Sequence, residues 1–148
     1  MTTFVTGGLT GKIGSNVSKI LHERGAPFVV GARSVPAESL EGYKIVRFDW
    51  SDPETFENPF KADPNVNRLF LISPPAFQPL SMVQPFLDYA IPKGIKRIVF
   101  IGGSIGDRDS KELSGPVWDY IAKSGVEYTI LRPTWFTGVS IFSSQVKA

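Results

Sequence analysis

The sequence predicts an α/β fold, a doubly wound parallel sheet of Rossmann type, and three observations carry that prediction. Six short β-branched and aromatic runs recur along the chain, at 3–6, 28–30, 45–48, 69–72, 97–101 and 128–131. Between several of them the apolar residues fall at helical spacing, as Ile13, Val17, Ile20 and Leu21 do first and Val83, Phe86, Leu87 and Ala90 do later. The runs are apolar throughout rather than alternating, as in strands covered on both faces, and strands alternating with helices form parallel sheets.

Each element has its own boundary signal. Gly25 and Gly94 stand where helices should stop, because glycine enters the left-handed conformation that closes a helix at no steric cost. A third helix is expected from Ser114-Gly115-Pro116, with proline near the first turn and Val117, Tyr120 and Ile121 on one face. The proline-flanked stretch 53–64 reads as a short helix or a loop connection. The chain has 148 residues, which suits one domain that buries about two-thirds of its unfolded surface. We place that domain at 1–136 and a short divergent tail at 137–148.

Composition excludes several function classes. With 42% hydrophobic residues, 20% charged residues and a net charge of +2, there is no electrostatic case for nucleic acid. The absence of cysteine excludes disulfides, Cys-ligated zinc and thiol catalysis, and the single histidine, His22, cannot build a metal cluster. No apolar run approaches the roughly 20 residues that span a bilayer. Met1-Thr2-Thr3 leads directly into a strand-like segment, so a cytoplasmic protein without a membrane partner is expected.

The stretch "FVTGGLTGKIGSNVSKIL" ends a strand, turns on glycines and opens a helix. A triphosphate-binding P-loop requires G-x-x-x-x-G-K-[ST]. Counting back from Gly11-Lys12, the first-glycine position holds Thr6, and Ile13 replaces the magnesium-binding hydroxyl, so both requirements fail. Gly8, Gly11 and Gly14 instead form G-x-x-G-x-x-G, in which glycines allow a tight turn and close backbone approach while the helix N-terminus receives a pyrophosphate. Gly8, Thr10, Gly11, Lys12, Ile13 and Gly14 are therefore candidate dinucleotide contacts, against the alternative of a plain structural turn.

The second strand ends in Val29-Val30-Gly31-Ala32-Arg33-Ser34, with no acid before Glu38. An acidic residue there would bond the ribose 2′-OH of NAD, whereas an arginine accommodates the 2′-phosphate of NADP. Arg33 and Ser34 thus point to NADPH, the alternative for Arg33 being a solvated loop arginine. Asp49 follows the third strand and is placed either to meet the adenine or to form a turn before Ser51-Asp52-Pro53. Ser73 ends the fourth strand, at the carboxyl edge where such sheets bind ligands.

Reductases of this architecture often pair a tyrosine with a lysine four residues on, the lysine lowering the tyrosine pKa for proton donation. Tyr89 and Lys93 have that spacing, but their segment enters the fifth strand from the amino edge and Pro92 separates them. In the helix after the fifth strand, Tyr120 is followed by Lys123, three positions on, and Tyr120 reads as core packing. No residue is assigned a catalytic role. An iminium carbon accepts hydride and leaves a neutral amine, so it needs positioning rather than a proton donor.

The segments "VTGGLTGKIG", "FVVGARS", "RFDWSDPETF", "LFLISPP", "FLDYAIPKGIKRIVFIGGS" and "YIAKSGVEYTILRPTWF" resemble the NmrA-like atypical short-chain reductases, and within them the fungal festuclavine and agroclavine dehydrogenases of ergot alkaloid biosynthesis. The resemblance implies NADPH-dependent reduction of a cyclic alkaloid iminium. It carries over Gly8, Gly11, Gly14 and Arg33 as cofactor contacts and makes Trp135 the start of the substrate side. Such enzymes continue for about as many residues again, so the chain is expected to be a truncated cofactor half, inactive as it stands. Exposed Trp135-Phe136 and Ile141-Phe142 are expected to drive self-association. The alternative to an enzyme is an NADP-binding regulator or sensor.

Overall fold

A computed structural model describes residues 1–38, 40–76, 78–103, 107–111 and 113–133. The trailing aromatic pairs, including Trp135, and the boundary placed at residue 136 lie outside those residues. The elements run β1 (Thr2–Val5), α1 (Lys12–Glu23), β2 (Phe28–Ala32), β3 (Lys44–Arg47), a 3₁₀ turn (Pro53–Thr55), α2 (Asn58–Ala62), β4 (Val66–Leu71), α3 (Leu80–Ala90), β5 (Arg97–Ile101), α4 (Gly115–Lys123) and β6 (Glu127–Leu131). The six strands are parallel in the order β3-β2-β1-β4-β5-β6. Chain direction across the sheet therefore reverses between β1 and β4, the switch point at which ligands of open α/β sheets bind.

Register decides which side chains meet which helices. Phe4 pairs with Val29 and Leu69, and Leu69 with Ile98. These residues join Val83, Phe86, Leu87, Val117 and Ile121 of α3 and α4 in one buried core on that face. Phe4, Phe48, Trp50, Phe56 and Phe86 meet there mostly edge to face, with centroids 4.9 to 5.8 Å apart in those contacts. A side chain at Gly31 would come within 2.8 Å of the Phe4 ring, which explains a glycine inside a strand. Val5 and Val30 also pair, on the opposite face, where Ser18 of α1 packs over them around Gly8. Helices thus cover both faces, as expected of a doubly wound sheet.

Helix α1 ends as its glycine predicts. Gly25 takes φ +62° and donates to the His22 carbonyl, while Ala26 donates to that of Leu21, the pair of bonds that closes a Schellman motif. The 53–64 connection holds both the 3₁₀ turn and α2. One expectation needs correction. The apolar reading of every strand implied that all six are covered on both faces, but neither end strand has a buried residue: β3 is half-buried to exposed and β6 is largely exposed, with Tyr128 and Leu131 among the exposed large hydrophobic residues. Among the described residues β6 is an edge strand, paired only through β5. Among the described residues no helix is long and apolar enough to cross a membrane.

Candidate functional site at the carboxyl edge of the sheet

The turn after β1 is built around the Gly7 carbonyl. Gly7 adopts φ +60°, which lets the chain reverse directly after the buried Val5-Thr6. Its oxygen then packs beside the first turn of α1. An added Cβ would lie 2.7 Å from it at Gly11 and 2.3 Å from it at Gly14, distances that real side chains do not occupy. At Gly8 a Cβ would meet Ser18 Oγ at 2.8 Å and Val5 at 2.9 Å. The glycines let the loop, the helix and the strands approach one another closely. Ser18 Oγ is buried against this loop without a hydrogen-bond partner among the described residues.

Helix α1 starts with Gly11 in extended conformation as its N-cap, without a side-chain cap and without an acidic residue in its first turn. Among the described residues, therefore, no capping or first-turn acidic side chain neutralises the unpaired N–H groups of that turn and the positive end of the helix dipole. Lys12 and Thr10 are exposed beside it and Ile13 is half-buried. Thr6 ties this turn to β4. Its hydroxyl accepts from the Ile72 N–H at 2.8 Å and lies 3.1 and 3.3 Å from the carbonyl oxygens of Ile72 and Phe70. Ser73, the next residue but one after β4, is thereby held at the same edge, half-buried.

Arg33 and Ser34 follow β2 and are both exposed. Asp49 follows β3, and its Oδ1 accepts from the Ser51 N–H at 2.9 Å and from the Ser51 hydroxyl at 2.7 Å. These bonds make the turn that the sequence offered as the alternative to an adenine contact. They are also the main reason that the Asp49 carboxyl is held below the usual range, with Arg47 and Arg33 adding their positive charge. The structure thus brings the loop, Arg33, Asp49 and Ser73 to one edge of the sheet. Gly7 and Thr6 were missed as parts of this site. The doublet Gly7-Gly8 was the available signal for the first, whereas nothing in the local sequence marks the second.

The tyrosine–lysine spacing has a different use. Tyr89 packs on Phe56 and Phe60, and the Lys93 ammonium sits 5.4 Å from the centre of its ring, a cation–π contact just past the end of α3. Tyr120 is partly packed on the core, as expected, and its hydroxyl also bonds the Asp88 carboxylate of α3. That bond raises its pKa, the opposite of what a proton-donating tyrosine with a lysine partner would show. After β5, Ser114 Oγ donates to the Gly102 carbonyl, and a Cβ on Gly115 would lie 2.5 Å from the Ser110 oxygen and 2.7 Å from that of Asp107. The start of α4 is packed beneath its own preceding loop.

No family model matches the chain. It is 35% identical over 144 residues to the agroclavine dehydrogenase of Claviceps fusiformis, an alignment that covers 92% of this chain and 47% of that protein. It is 33% identical over 142 residues to festuclavine synthase I of Penicillium roqueforti, covering 92% of this chain and 48% of the relative. Among solved structures, Citrobacter triphenylmethane reductase complexed with NADP(H) superposes with a TM-score of 0.76 at 23% identity, over 95% of this chain and 52% of that one. The NADPH-dependent quinone oxidoreductase of Escherichia coli complexed with NADPH gives 0.76 at 24% identity, over 98% and 53%. These likenesses establish the Rossmann-type fold. Across nine-tenths of its length the chain is similar in sequence to these fungal proteins, and it spans about half the length of the curated relatives it matches.

Proposed function

We propose that the chain binds NADPH at the carboxyl edge of its sheet and serves as the cofactor-binding part of an oxidoreductase of ergot-type alkaloid biosynthesis. The observation that carries this reading is the uncapped start of α1 behind a loop in which Gly8, Gly11 and Gly14 have no room for side chains, with Arg33 exposed at the end of the neighbouring strand. The residues fit the group. Free N–H donors and a positive dipole end suit a pyrophosphate, and a guanidinium without an ion pair among the described residues suits a 2′-phosphate.

In this reading the α1 N-terminus, with Gly11, Lys12, Ile13 and Gly14, holds the pyrophosphate; Gly8 and Thr10 shape the loop. Arg33 and Ser34 take the 2′-phosphate, Asp49 borders the adenine, and Ser73 flanks the cofactor at the switch point. The bound nicotinamide supplies the hydride. The chain's own task is to orient the cofactor, which suffices for an iminium because its carbon is already positive and needs no proton donor. The names of the homologues support an alkaloid substrate, and the agroclavine- and festuclavine-forming type of cyclic iminium is the one proposed.

The test is titration with NADPH by fluorescence, followed by NADPH oxidation with a panel of cyclic iminium salts. Binding with turnover supports the enzyme. Binding without turnover would favour a cofactor-binding regulator or sensor, and no binding would overturn both. Self-association through the open edge of β6 is proposed as well, and light scattering showing a monomer at high concentration would contradict it.

A further inference from the structure

We propose that Arg47 is a second guanidinium for the 2′-phosphate of NADP(H), held in reserve on Asp52 and handed over when the dinucleotide binds. The inference rests on the NADPH reading of the carboxyl edge. Register pairs Arg47 with Ala32, the residue immediately before Arg33, so the two arginines leave neighbouring strands at the same edge. Both stand close enough to Asp49 to favour its ionised form. Arg47 Nη1 lies 2.8 Å from Asp52 Oδ2, yet the Arg47 side chain remains 55% exposed and so is open to another anion.

Charge balance favours the exchange. A phosphate monoester carries about −1.5 to −2 at neutral pH, more than Arg33 alone can neutralise. Asp49, held ionised nearby, would repel the phosphate unless a second cation offset it. Surface ion pairs as exposed as Arg47–Asp52 contribute little, whereas a phosphate offers a guanidinium stronger, paired hydrogen bonds. Asp52 also has a separate duty, since its Oδ1 accepts from the Glu54 N–H at 3.2 Å and starts the 3₁₀ turn. Asparagine would keep that acceptor while removing the charge that detains Arg47.

Calorimetry with NADPH and with NADH on the parent chain, Arg47→Gln and Asp52→Asn tests this. Arg47→Gln should weaken NADPH binding about tenfold and leave NADH within about twofold, because only NADPH carries the phosphate. Asp52→Asn should tighten NADPH by about threefold with NADH unchanged. If Arg47 and Asp52 form only a structural clasp, both variants will move in the same direction for both cofactors, and that result overturns the proposal. A parent that prefers NADPH while Arg47→Gln retains the full preference defeats this inference alone. A parent that binds neither cofactor, or both equally, defeats the NADPH reading and this inference with it.

Discussion

Two strands of this sheet are followed by a pair of glycines, β1 by Gly7-Gly8 and β5 by Gly102-Gly103, and the two turns do opposite things. Each pair contains one left-handed residue, Gly7 at φ +60° and Gly103 at φ +71°. In each, a later glycine lies against a carbonyl of the same turn, Gly14 against Gly7 and Gly115 against Ser110. After β1 the chain reaches α1 within six residues and leaves its first turn uncapped. After β5 the path to α4 is more than twice as long, Ser114 spends its hydroxyl on Gly102, and Pro116 enters the first turn without an N–H. A glycine doublet after an apolar strand therefore marks a sharp turn. Whether the turn can receive an anion depends on the length of the loop behind it and on the donors left at the helix start.

The largest expected effect breaks the first turn altogether. Gly14→Val would place its Cβ 2.3 Å from the Gly7 oxygen and 2.9 Å from Gly8 Cα, backbone atoms that cannot swing aside. Stability should fall by about 3 kcal/mol, measured by urea unfolding, with NADPH binding lost alongside. The Gly11 position behaves similarly at 2.7 Å. Valine at Gly11 would also collide first with the chain's own backbone, so folding as well as cofactor binding should suffer.

A paired substitution sharpens the contrast. Gly7 and Gly103 both have open space where a Cβ would go, so alanine at either adds only left-handed strain. Each should cost about 1 kcal/mol by thermal or urea unfolding. NADPH affinity should drop for Gly7→Ala and stay level for Gly103→Ala. Equal losses of affinity would mean that both turns serve the cofactor and that the contrast drawn between them is false.

A control lies on the opposite edge of the sheet. Asp63, nearly buried, accepts from the Asn65 N–H at 2.9 Å, and from the Thr2 hydroxyl and the Lys44 ammonium at 3.1 Å each. The Asn65 bond is the main cause of a lowered pKa, with Lys44 and Thr2 assisting. A carboxyl whose pKa is depressed on folding stabilises the fold fully above its unfolded value and loses that contribution as pH falls through its folded value. Asp63→Asn should therefore cost about 1 to 2 kcal/mol at pH 7, a difference that shrinks below about pH 4 while NADPH affinity at pH 7 is unchanged. A constant difference across that range would show that the charge of Asp63 is not what matters.

The fold was legible because it is written in local signals. The apolar runs located all six strands within a few residues, Gly25 and Pro116 marked helix ends, and strand–helix alternation implied the parallel sheet. The exposure of β6 was not legible, since "YTIL" reads the same on an edge as inside a sheet, and burial depends on neighbours rather than on the strand's own residues. At the site, Gly8, Gly11 and Gly14 were recognisable by spacing, yet the sequence could not say that the Gly7 carbonyl is what they make room for. Asp49 was read with two alternatives because an aspartate two residues before a serine can close a turn or face a ligand, and only the placement of Ser51 shows that the turn is made. Thr6 and Arg47 became visible only through register, which brings β4 and β2 beside them.

The central claim is that the turn after β1 and the end of β2 together form an NADPH site, and calorimetric titration of the chain with NADPH and NADH in parallel tests it most directly. NADPH is expected to bind at least about tenfold more tightly, and Arg33→Asp to abolish or reverse the preference by replacing the phosphate's partner with a repelling charge. Equal affinities for the two cofactors, or an Arg33→Asp chain that still prefers NADPH, would contradict it.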